Sequence, residues 1–375
     1  MSFIDHIHDN RLKGIAEKVM SNIPVDEKDA LTMLSTSSIL DLGSIADHVR
    51  TRLHRDITYY GVNMNLNYTN ICELRCPLCA FSCDERDPHA FVLSLDDIEK
   101  RVRNAAERGI DEVHIVGGLH PELTLNYFEN MLRIIKRILP GVHIVAFTAV
   151  EYDYFAKTNK LPIETVFRRL MNAGVDALPG GGAEIFDPGV RSTIAPKKIP
   201  GDRWLDIMKT AHAMGLKTNA TMLYNHIERQ NDIVDHLFRL RKVQDETGGF
   251  KAFVPLVFHG KNTSVNAKNT TTGYDDIRIY ATSRIVLNNI PHIKALWMYL
   301  GEKMAQVLQT FGVDDIGATY HNEKVVHAAG AGTPDFGSEP FLKRLITKAG
   351  FTPVRAAADY KTRTADVDEG IRDLP

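Results

Sequence analysis

Short apolar runs alternate with longer amphipathic segments from about residue 60 to residue 318. Apolar runs of roughly four to eight residues predict buried strands, and apolar positions about three or four residues apart predict helices. The predicted strands lie at 62–71, 112–116, 143–148, 176–178, 217–223, 252–257, 292–297 and 314–317. The predicted helices lie at 94–109, 125–139, 163–173, 201–214, 232–246, 274–287 and 303–311.

This alternation predicts parallel strands joined by right-handed helical crossovers. An α/β fold with a (β/α)8 barrel of the TIM type, over residues 57–318, is favoured, and a doubly wound open sheet is the alternative. Residues 1–56 are predicted to form a helical N-terminal extension. Residues 319–375, with a helix at 340–349, are predicted to form a C-terminal extension closing the barrel. We expect the two extensions together to close both barrel ends.

Composition narrows the class of protein. The 375 residues carry a formal net charge of −2 with both signs interspersed, so no basic face indicates a nucleic-acid partner. No apolar run reaches the ~18 residues of a membrane span, and residues 1–10 are too polar for a signal peptide. All four cysteines lie between residues 72 and 83, which favours a metal site in a reducing compartment over disulfides. These features predict a soluble cytoplasmic enzyme with no membrane partner.

The cysteines carry the strongest chemical signal. Cys72, Cys76 and Cys79 form a C-x3-C-x2-C run after a predicted strand. Three thiolates on one loop can hold a [4Fe–4S] cluster and leave one iron open to S-adenosylmethionine (SAM), whose reductive cleavage gives a 5′-deoxyadenosyl radical. The alternative is a structural zinc with Cys83 as fourth ligand; otherwise Cys83 is a free thiol. At these cysteines the chain resembles the radical SAM superfamily.

Loops after the strands carry the candidate cofactor contacts, because functional residues of a (β/α)8 barrel collect there. Gly117 and Gly118 follow the second strand, where paired glycines allow backbone groups to approach the methionine amino group of SAM. Glu184 ends a Pro-Gly-Gly-Gly-Ala segment and offers a carboxylate to the ribose hydroxyls. Phe81 is a candidate for stacking near adenine.

Other ionisable residues are candidates for substrate binding or catalysis. Arg191 has the planar fork that matches a carboxylate, whereas Lys197 and Lys198 are interpreted as solvated loop charges. Glu323 and His327 lie one helical turn apart and are expected to face the barrel mouth together. Further candidates, each equally explained as structural, are His120, Tyr224, His226, Glu228 and His259.

Longer motifs narrow the resemblance. The segments Asn67–Cys72, His114–Pro121, Pro179–Glu184 and Gln244–Phe250 are similar to one branch of radical SAM enzymes. That branch contains aminofutalosine synthase, dehypoxanthine futalosine cyclase and the two-part synthase of the deazaflavin F0. The segments His114–Gly118, Val254–His259 and Glu323–Ala331 most resemble aminofutalosine synthase.

The resemblance implies that SAM is a co-substrate. In aminofutalosine synthase the adenosyl radical adds to the enol-ether double bond of 3-[(1-carboxyvinyl)oxy]benzoate, and rearrangement with decarboxylation gives 6-amino-6-deoxyfutalosine for menaquinone biosynthesis. Arg191, His259 and His327 are then expected to bind the dicarboxylate, and Glu323 or a histidine to act as a base. A low-potential electron donor of the flavodoxin or ferredoxin type is also implied. The alternatives are the cyclase, which abstracts hydrogen and releases 5′-deoxyadenosine, and a non-catalytic iron–sulfur or zinc protein.

Overall fold

The computed structural model describes residues 3–267 and 271–361. Its strands are β1 (Ile57–Gly61), β2 (Asn63–Leu66), β3 (Glu112–Ile115), β4 (His143–Ala146), β5 (Ala177–Leu178), β6 (Lys217–Tyr224), β7 (Phe250–Val257), β8 (His292–Ile293), β9 (Asp315–Ala318) and β10 (Thr352–Arg355). Its α-helices are α1 (Asn10–Met20), α2 (Glu27–Ser35), α3 (Ile39–His54), α4 (Leu95–Ala106), α5 (Leu125–Ile138), α6 (Ala149–Asn159), α7 (Ile163–Ala173), α8 (Pro188–Ile194), α9 (Gly201–Ala213), α10 (Gln230–Thr247), α11 (Gly273–Val286), α12 (Trp297–Leu300), α13 (Glu302–Val307), α14 (Val325–Ala328) and α15 (Glu339–Thr347). Short 3-10 helices occupy Phe3–His6 and Leu308–Phe311.

Parallel strands in chain order form the barrel wall. Strands β2 to β8 make one seven-stranded sheet in which every pairing is parallel. The segment around β9 joins its two edges, because Lys294 after β8 bridges to Asp315 and Met64 of β2 bridges to His321. The prediction of a (β/α)8 barrel is therefore confirmed.

Helix-capping residues account for where several barrel helices begin. The Ser94 hydroxyl accepts the Asp97 N–H, and the Asp97 carboxylate accepts the Ser94 N–H, which is a capping box at the start of α4. Thr148 and Glu151 form the same box at α6. Two helices, α6 and α7, connect β4 to β5. The sequence pattern predicted only one helix there and missed α6.

The C-terminal segment covers the amino ends of the barrel strands. Strand β10 pairs in parallel with β1, outside the seven-stranded sheet. The chain then turns inward, where the Ala358 N–H donates to the Glu112 carboxylate at 2.9 Å. The Tyr360 ring stacks on His292 at the start of β8, and its hydroxyl donates to Asp315 at 2.8 Å. Residues 362–375 of the predicted C-terminal extension lie outside the described residues.

The N-terminal helices lie beside the barrel. Helices α2 and α3 pack against α11, and α2 also contacts α10. Arg50, fully buried, donates from α3 to the carbonyls of Ile57 and Val313. The extension thus packs on the outer helices, and its last helix ends beside the amino end of β8, where His54 stacks on His292. Barrel closure at the amino end comes from the C-terminal segment.

Candidate active site inside the barrel

A cavity of about 320 Å³ runs inside the barrel. At one end it reaches Cys79, and at the other it reaches Ala356, Ala357 and Ala358 of the C-terminal segment. Residues of a barrel strand alternate between the interior and the surrounding helices, so side chains from many strands contribute to the lining. The cavity therefore connects the cysteines directly to the barrel interior.

The cysteine loop, Cys72–Cys79, is held by backbone hydrogen bonds to three neighbouring segments. The Glu73 N–H donates to the Leu119 carbonyl, the Leu78 N–H to the Ile194 carbonyl, and the Ser264 N–H to the Pro77 carbonyl. These partners follow β3, β5 and β7 respectively. The loop is thus fixed by the same barrel loops that surround the cavity.

The spread of the cysteine sulfurs suits a cluster better than a single ion. Cys76 is buried, and Cys72 and Cys79 are half-buried. Sulfurs around a tetrahedral zinc lie about 3.8 Å apart, given a Zn–S bond of about 2.3 Å. Over residues 3–267 and 271–361, the cysteines contribute to no group of three ligand atoms that lie within 4.8 Å of one another. A [4Fe–4S] cluster, whose thiolates bind separate irons, fits Cys72, Cys76 and Cys79.

Gly117 and Gly118 are required for close packing of the cysteine loop on β3. A Cβ on Gly118 would lie 2.1 Å from the Ile71 carbonyl oxygen, and one on Gly117 would lie 2.6 Å from the Tyr68 ring. Their N–H groups are occupied, because the Gly118 N–H donates to the Thr69 carbonyl and the Gly117 N–H donates to the Glu151 carboxylate. The Gly117 carbonyl accepts no hydrogen bond from the described residues, and neither glycine lines the cavity.

Glu151 is a buried carboxylate bonded to the Gly117 turn, and the sequence analysis missed it. Its carboxylate, 2% exposed, accepts hydrogen bonds from the Tyr68 hydroxyl at 2.8 Å, the Thr148 hydroxyl at 2.7 Å and the Gly117 N–H at 3.3 Å. Burial raises the pKa of Glu151 to about 7, against these hydrogen bonds, which lower it. The Thr-x-x-Glu spacing of the capping box was the signal that could have identified this residue.

Glu184 and Lys198 form a buried ion pair on the cavity wall. The Lys198 Nζ lies 2.5 Å from the Glu184 Oε1, and both residues line the cavity. Burial opposes ionisation of Glu184, but Lys198 overcomes this and holds the pKa of the carboxyl below its usual value. The interpretation of Lys198 as a solvated charge is wrong, because its loop folds back over the barrel; Lys197 is exposed.

Arg191 is in the wrong place for the role expected of it. Its buried guanidinium donates to the backbone carbonyls of Ala183, Ile185, Gly182 and Ile199, and it does not line the cavity. These bonds use the donors that a substrate carboxylate would need. The structure therefore contradicts carboxylate binding by Arg191 and gives it the role of fixing the loop that carries Glu184.

The remaining catalytic candidates separate into two groups. His259 and Glu323 line the cavity. The Glu323 carboxylate accepts the Val325 N–H at 2.8 Å, and burial raises its pKa despite this bond. His327 lies outside the cavity lining, with its ring nitrogens against the carbonyls of Glu323 and Thr333, so the expected joint exposure of Glu323 and His327 at the mouth is wrong.

Phe81 and three further candidates have structural contacts. Phe81 packs edge-to-face on Phe91 and does not line the cavity, so the structure gives no support to its stacking on adenine. His120 accepts the Glu122 N–H through Nδ1. The remaining pair, His226 and Glu228, bond to each other and to nearby backbone groups outside this cavity.

The amino-terminal half of the cavity carries polar residues that the sequence analysis did not identify. Lys294 Nζ lies 3.0 Å from Asp315 Oδ2, and both residues line the cavity beside His114 and Asn219. Burial lowers the pKa of His114 to about 4, so its ring is neutral near pH 7. These four side chains point into the cavity because of strand register, which no local sequence motif indicates.

Family models match most of the chain. A model of the radical SAM superfamily matches residues 66–240, and a model of the CofH/MqnC C-terminal region matches residues 247–368. Among solved structures, the crystal structure of HydG, a maturase of the [FeFe]-hydrogenase, superposes with a TM-score of 0.73 at 14% identity, covering 95% of this chain and 78% of that one. At that identity the likeness shows the fold alone.

Sequence relatives narrow the family. The chain is 40% identical to aminodeoxyfutalosine synthase of Thermus thermophilus, over 95% of this chain and 96% of the relative. It is 37% identical to 5-amino-6-(D-ribitylamino)uracil–L-tyrosine 4-hydroxyphenyl transferase of Methanopyrus kandleri, over 84% and 87% of the two chains. The barrel, the cysteine loop and the matches to the family models together define a radical SAM enzyme, with a [4Fe–4S] cluster and SAM as its cofactors. Within that superfamily the chain belongs to the family that includes aminodeoxyfutalosine synthase.

Proposed function

We propose that this enzyme joins the 5′-deoxyadenosyl group of SAM to 3-[(1-carboxyvinyl)oxy]benzoate and forms 6-amino-6-deoxyfutalosine with loss of a carboxyl group. The observation that carries the proposal is the near full-length relationship to aminodeoxyfutalosine synthase at 40% identity. The product is an intermediate of menaquinone biosynthesis, which the sequence resemblance also implied.

The cavity supports this assignment chemically. When bound, the reduced cluster supplies the electron that cleaves SAM. Cys72, Cys76 and Cys79 would hold the cluster beside the cavity that reaches Cys79. Because the C-terminal segment closes the opposite end, the walls limit access of water and of stray hydrogen donors to a primary carbon radical.

Individual residues receive roles from their positions. The Gly117 carbonyl would accept from the methionine amino group of SAM, with Gly118 keeping the turn against the cysteine loop. Glu184, oriented by Lys198, would accept from the ribose hydroxyls. His259, whose Nε2 lies 2.9 Å from the Tyr299 carbonyl, has its other ring nitrogen left for substrate. Glu323, with its raised pKa, is the candidate for a late proton transfer.

The partners follow from the chemistry. Radical SAM chemistry requires a small-molecule substrate and an electron donor. We assign the substrate to a dicarboxylate and the donor to a low-potential protein of the flavodoxin or ferredoxin type. In the described residues, none of the helices has the length and apolar character of a membrane span. A cytoplasmic location is part of the proposal, since the four cysteines are free.

The 4-hydroxyphenyl transferase is the second candidate, because a relative with that activity in its name is 37% identical. Its name specifies L-tyrosine and 5-amino-6-(D-ribitylamino)uracil as substrates. The two candidates differ in whether adenosine atoms of SAM enter the product. Dehypoxanthine futalosine cyclase also differs from the proposed enzyme in this respect, because it releases the adenosine part of SAM as 5′-deoxyadenosine.

One substrate comparison distinguishes these activities. The anaerobically reconstituted, reduced protein is incubated with SAM and, separately, with the enol-ether benzoate, with tyrosine plus the ribitylaminouracil, or with dehypoxanthine futalosine. Mass spectrometry should find an adenosine-containing adduct only with the enol-ether benzoate. A uracil product carrying the 4-hydroxyphenyl group of tyrosine, or a cyclised futalosine product, would replace the proposal with the corresponding activity. A Cys76→Ala variant is the matched control and should form none of these products.

A further inference from the structure

The cavity lining changes in polarity along the barrel axis. At the cysteine end, the mouth carries the Glu184–Lys198 pair. Most of the middle is apolar, with Val116, Val254, Leu256 and Leu296. The floor layer, defined as His114, Asn219, Lys294 and Asp315, is polar again. Such a lining suits a ligand with a polar group at the deep end and an apolar body between that group and the cluster.

Lys294 retains hydrogen-bonding capacity in the floor layer. An ammonium group has three donors, and across residues 3–267 and 271–361 the only hydrogen-bonding contact of Lys294 Nζ is Asp315. Asp315 does not depend on Lys294 alone, because it also accepts the Gly317 N–H at 2.7 Å and the Tyr360 hydroxyl at 2.8 Å. Two ammonium donors therefore remain available to an anionic group of a ligand.

Asn219 and His114 add neutral groups beside Lys294. The Asn219 side chain is 9% exposed, and neither its Oδ1 nor its Nδ2 has a hydrogen-bond partner among the described residues, so the Nδ2 is left to donate to a carboxylate. His114 has no hydrogen bond there either, with its Nδ1 3.9 Å from Glu112. Buried polar groups are normally paired, so an unpartnered amide on a cavity wall indicates a missing ligand atom or water. A neutral imidazole keeps one N–H that can donate to a carboxylate.

The length of the cavity fits one orientation of the substrate. Asn219 and Leu223 both line it from β6, and four residues of a strand span about 13 Å. An aromatic ring with its two substituents can bridge the distance between the floor and the cluster end. We propose that the floor layer binds the ring carboxylate of the aromatic substrate through Lys294, Asn219 and His114. Binding in this orientation directs the enol-ether double bond to the cysteine loop. This inference rests on the proposed function.

Other charged residues near the floor layer provide a control variant for Lys294. Glu112 also lines the cavity, where its carboxylate accepts the Ala358 N–H. Lys251 is a buried lysine on β7 that does not line the cavity. Lys251→Met removes a buried positive charge near the floor without removing a proposed contact. It therefore separates direct binding by Lys294 from a general change in floor charge.

The first test measures binding directly. Calorimetry with cluster-loaded, unreduced protein compares 3-[(1-carboxyvinyl)oxy]benzoate with 2-phenoxyacrylate, which lacks the ring carboxylate. A charged hydrogen bond supports a difference of roughly 10- to 100-fold, so wild-type protein should bind the benzoate that much more tightly. Lys294→Met and Asn219→Leu should reduce this preference, Lys294→Met to less than about threefold, while Lys251→Met keeps it. Equal affinity of wild-type protein for both compounds, or an unchanged preference in Lys294→Met, would overturn the inference.

The second test follows product formation by the same variants. For Lys294→Met, kcat/KM should fall by roughly 10- to 100-fold with the benzoate and by less than about threefold with 2-phenoxyacrylate. Equal losses with both compounds would mean that the substitution damages the fold. If wild-type protein shows the predicted binding preference but forms no adenosyl adduct, the proposed reaction fails while the carboxylate subsite stands.

Discussion

Gly118 packs so closely on the backbone before Cys72 that a Cβ at this position would lie 2.1 Å from the Ile71 carbonyl oxygen. No side chain fits at that distance, and the obstructing atom is backbone that carries the first cluster ligand. The turn after β3 and the cysteine loop are therefore one packed unit. This explains why paired glycines accompany the cysteine motif in this chain.

Gly118→Ala should separate the turn from the cysteine loop. We expect lower iron content after reconstitution and a loss of SAM cleavage of at least about tenfold, since misplacement of reacting groups by ~1 Å is costly. Iron analysis and electron paramagnetic resonance of the reduced cluster measure the effect. Gly141→Ala is the control, because a Cβ there meets nothing within 4 Å. Normal iron content and SAM cleavage in Gly118→Ala would contradict the packing argument.

Glu151 should make the free energy of unfolding fall as pH rises from about 4.5 to about 7. Its folded-state pKa of about 7 exceeds the ordinary 4.5, so the folded chain binds the extra proton more tightly than the unfolded chain. The resulting stabilisation is complete below about pH 4.5 and is lost as pH rises to about 7, by an amount on the order of 3 kcal/mol.

Denaturant unfolding of wild-type protein and Glu151→Gln at several pH values tests this. Glutamine cannot titrate, so wild-type protein should lose stability relative to the variant between pH 5 and pH 7. Groups common to both proteins cancel in the difference. A difference in unfolding free energy that stays constant over this range would show that Glu151 is already ionised at pH 5.

Glu184→Gln should weaken SAM binding while leaving the cluster in place. The substitution removes the carboxylate assigned to the ribose hydroxyls and leaves Lys198 without its partner. We expect KM for SAM to rise by roughly 10-fold or more with unchanged iron content. Lys197→Met is the matched control, because Lys197 is exposed beside Lys198. An unchanged KM for SAM would remove Glu184 from the SAM site.

Asp314→Asn should destabilise the junction between the N-terminal extension and the barrel. The buried carboxylate lies 2.5 Å from Arg284 and 2.6 Å from His292, with His54 of α3 at 3.4 Å. Removing one partner of a buried ion pair leaves an uncompensated charge and costs about 3–5 kcal/mol. Denaturant unfolding measures this cost, and Asp202→Asn, at an exposed ion pair with Arg239, should cost under about 0.5 kcal/mol. Equal costs would contradict the structural role of Asp314.

The sequence predicted the features that are local along the chain. Cys72, Cys76 and Cys79 lie within one loop, and the Gly117–Gly118 turn follows one strand, so spacing alone identified both. The barrel followed from repeated alternation of strands and helices. The position of β10 was missed because four residues of weak apolar character pair with β1 almost 300 residues earlier.

Roles that depend on long-range packing were not predictable from residue type. Arg191 carries the right chemistry for a carboxylate, but its donors are taken by carbonyls of its own folded loop. The sequence predicts a solvent-exposed Lys198, because no local feature shows that its loop turns into the barrel. Asn219 of β6 and Lys294, which follows β8, face the cavity because of strand register, which residue type does not specify.

The fate of the SAM adenosyl carbon tests the central claim most directly. Reduced protein is given the enol-ether benzoate and SAM labelled with ¹³C at C5′, and the products are separated and analysed by mass spectrometry. The account predicts one labelled carbon covalently joined to the benzoate-derived product, with one SAM consumed per product. Label found in 5′-deoxyadenosine, with the benzoate converted or untouched but free of label, would contradict it.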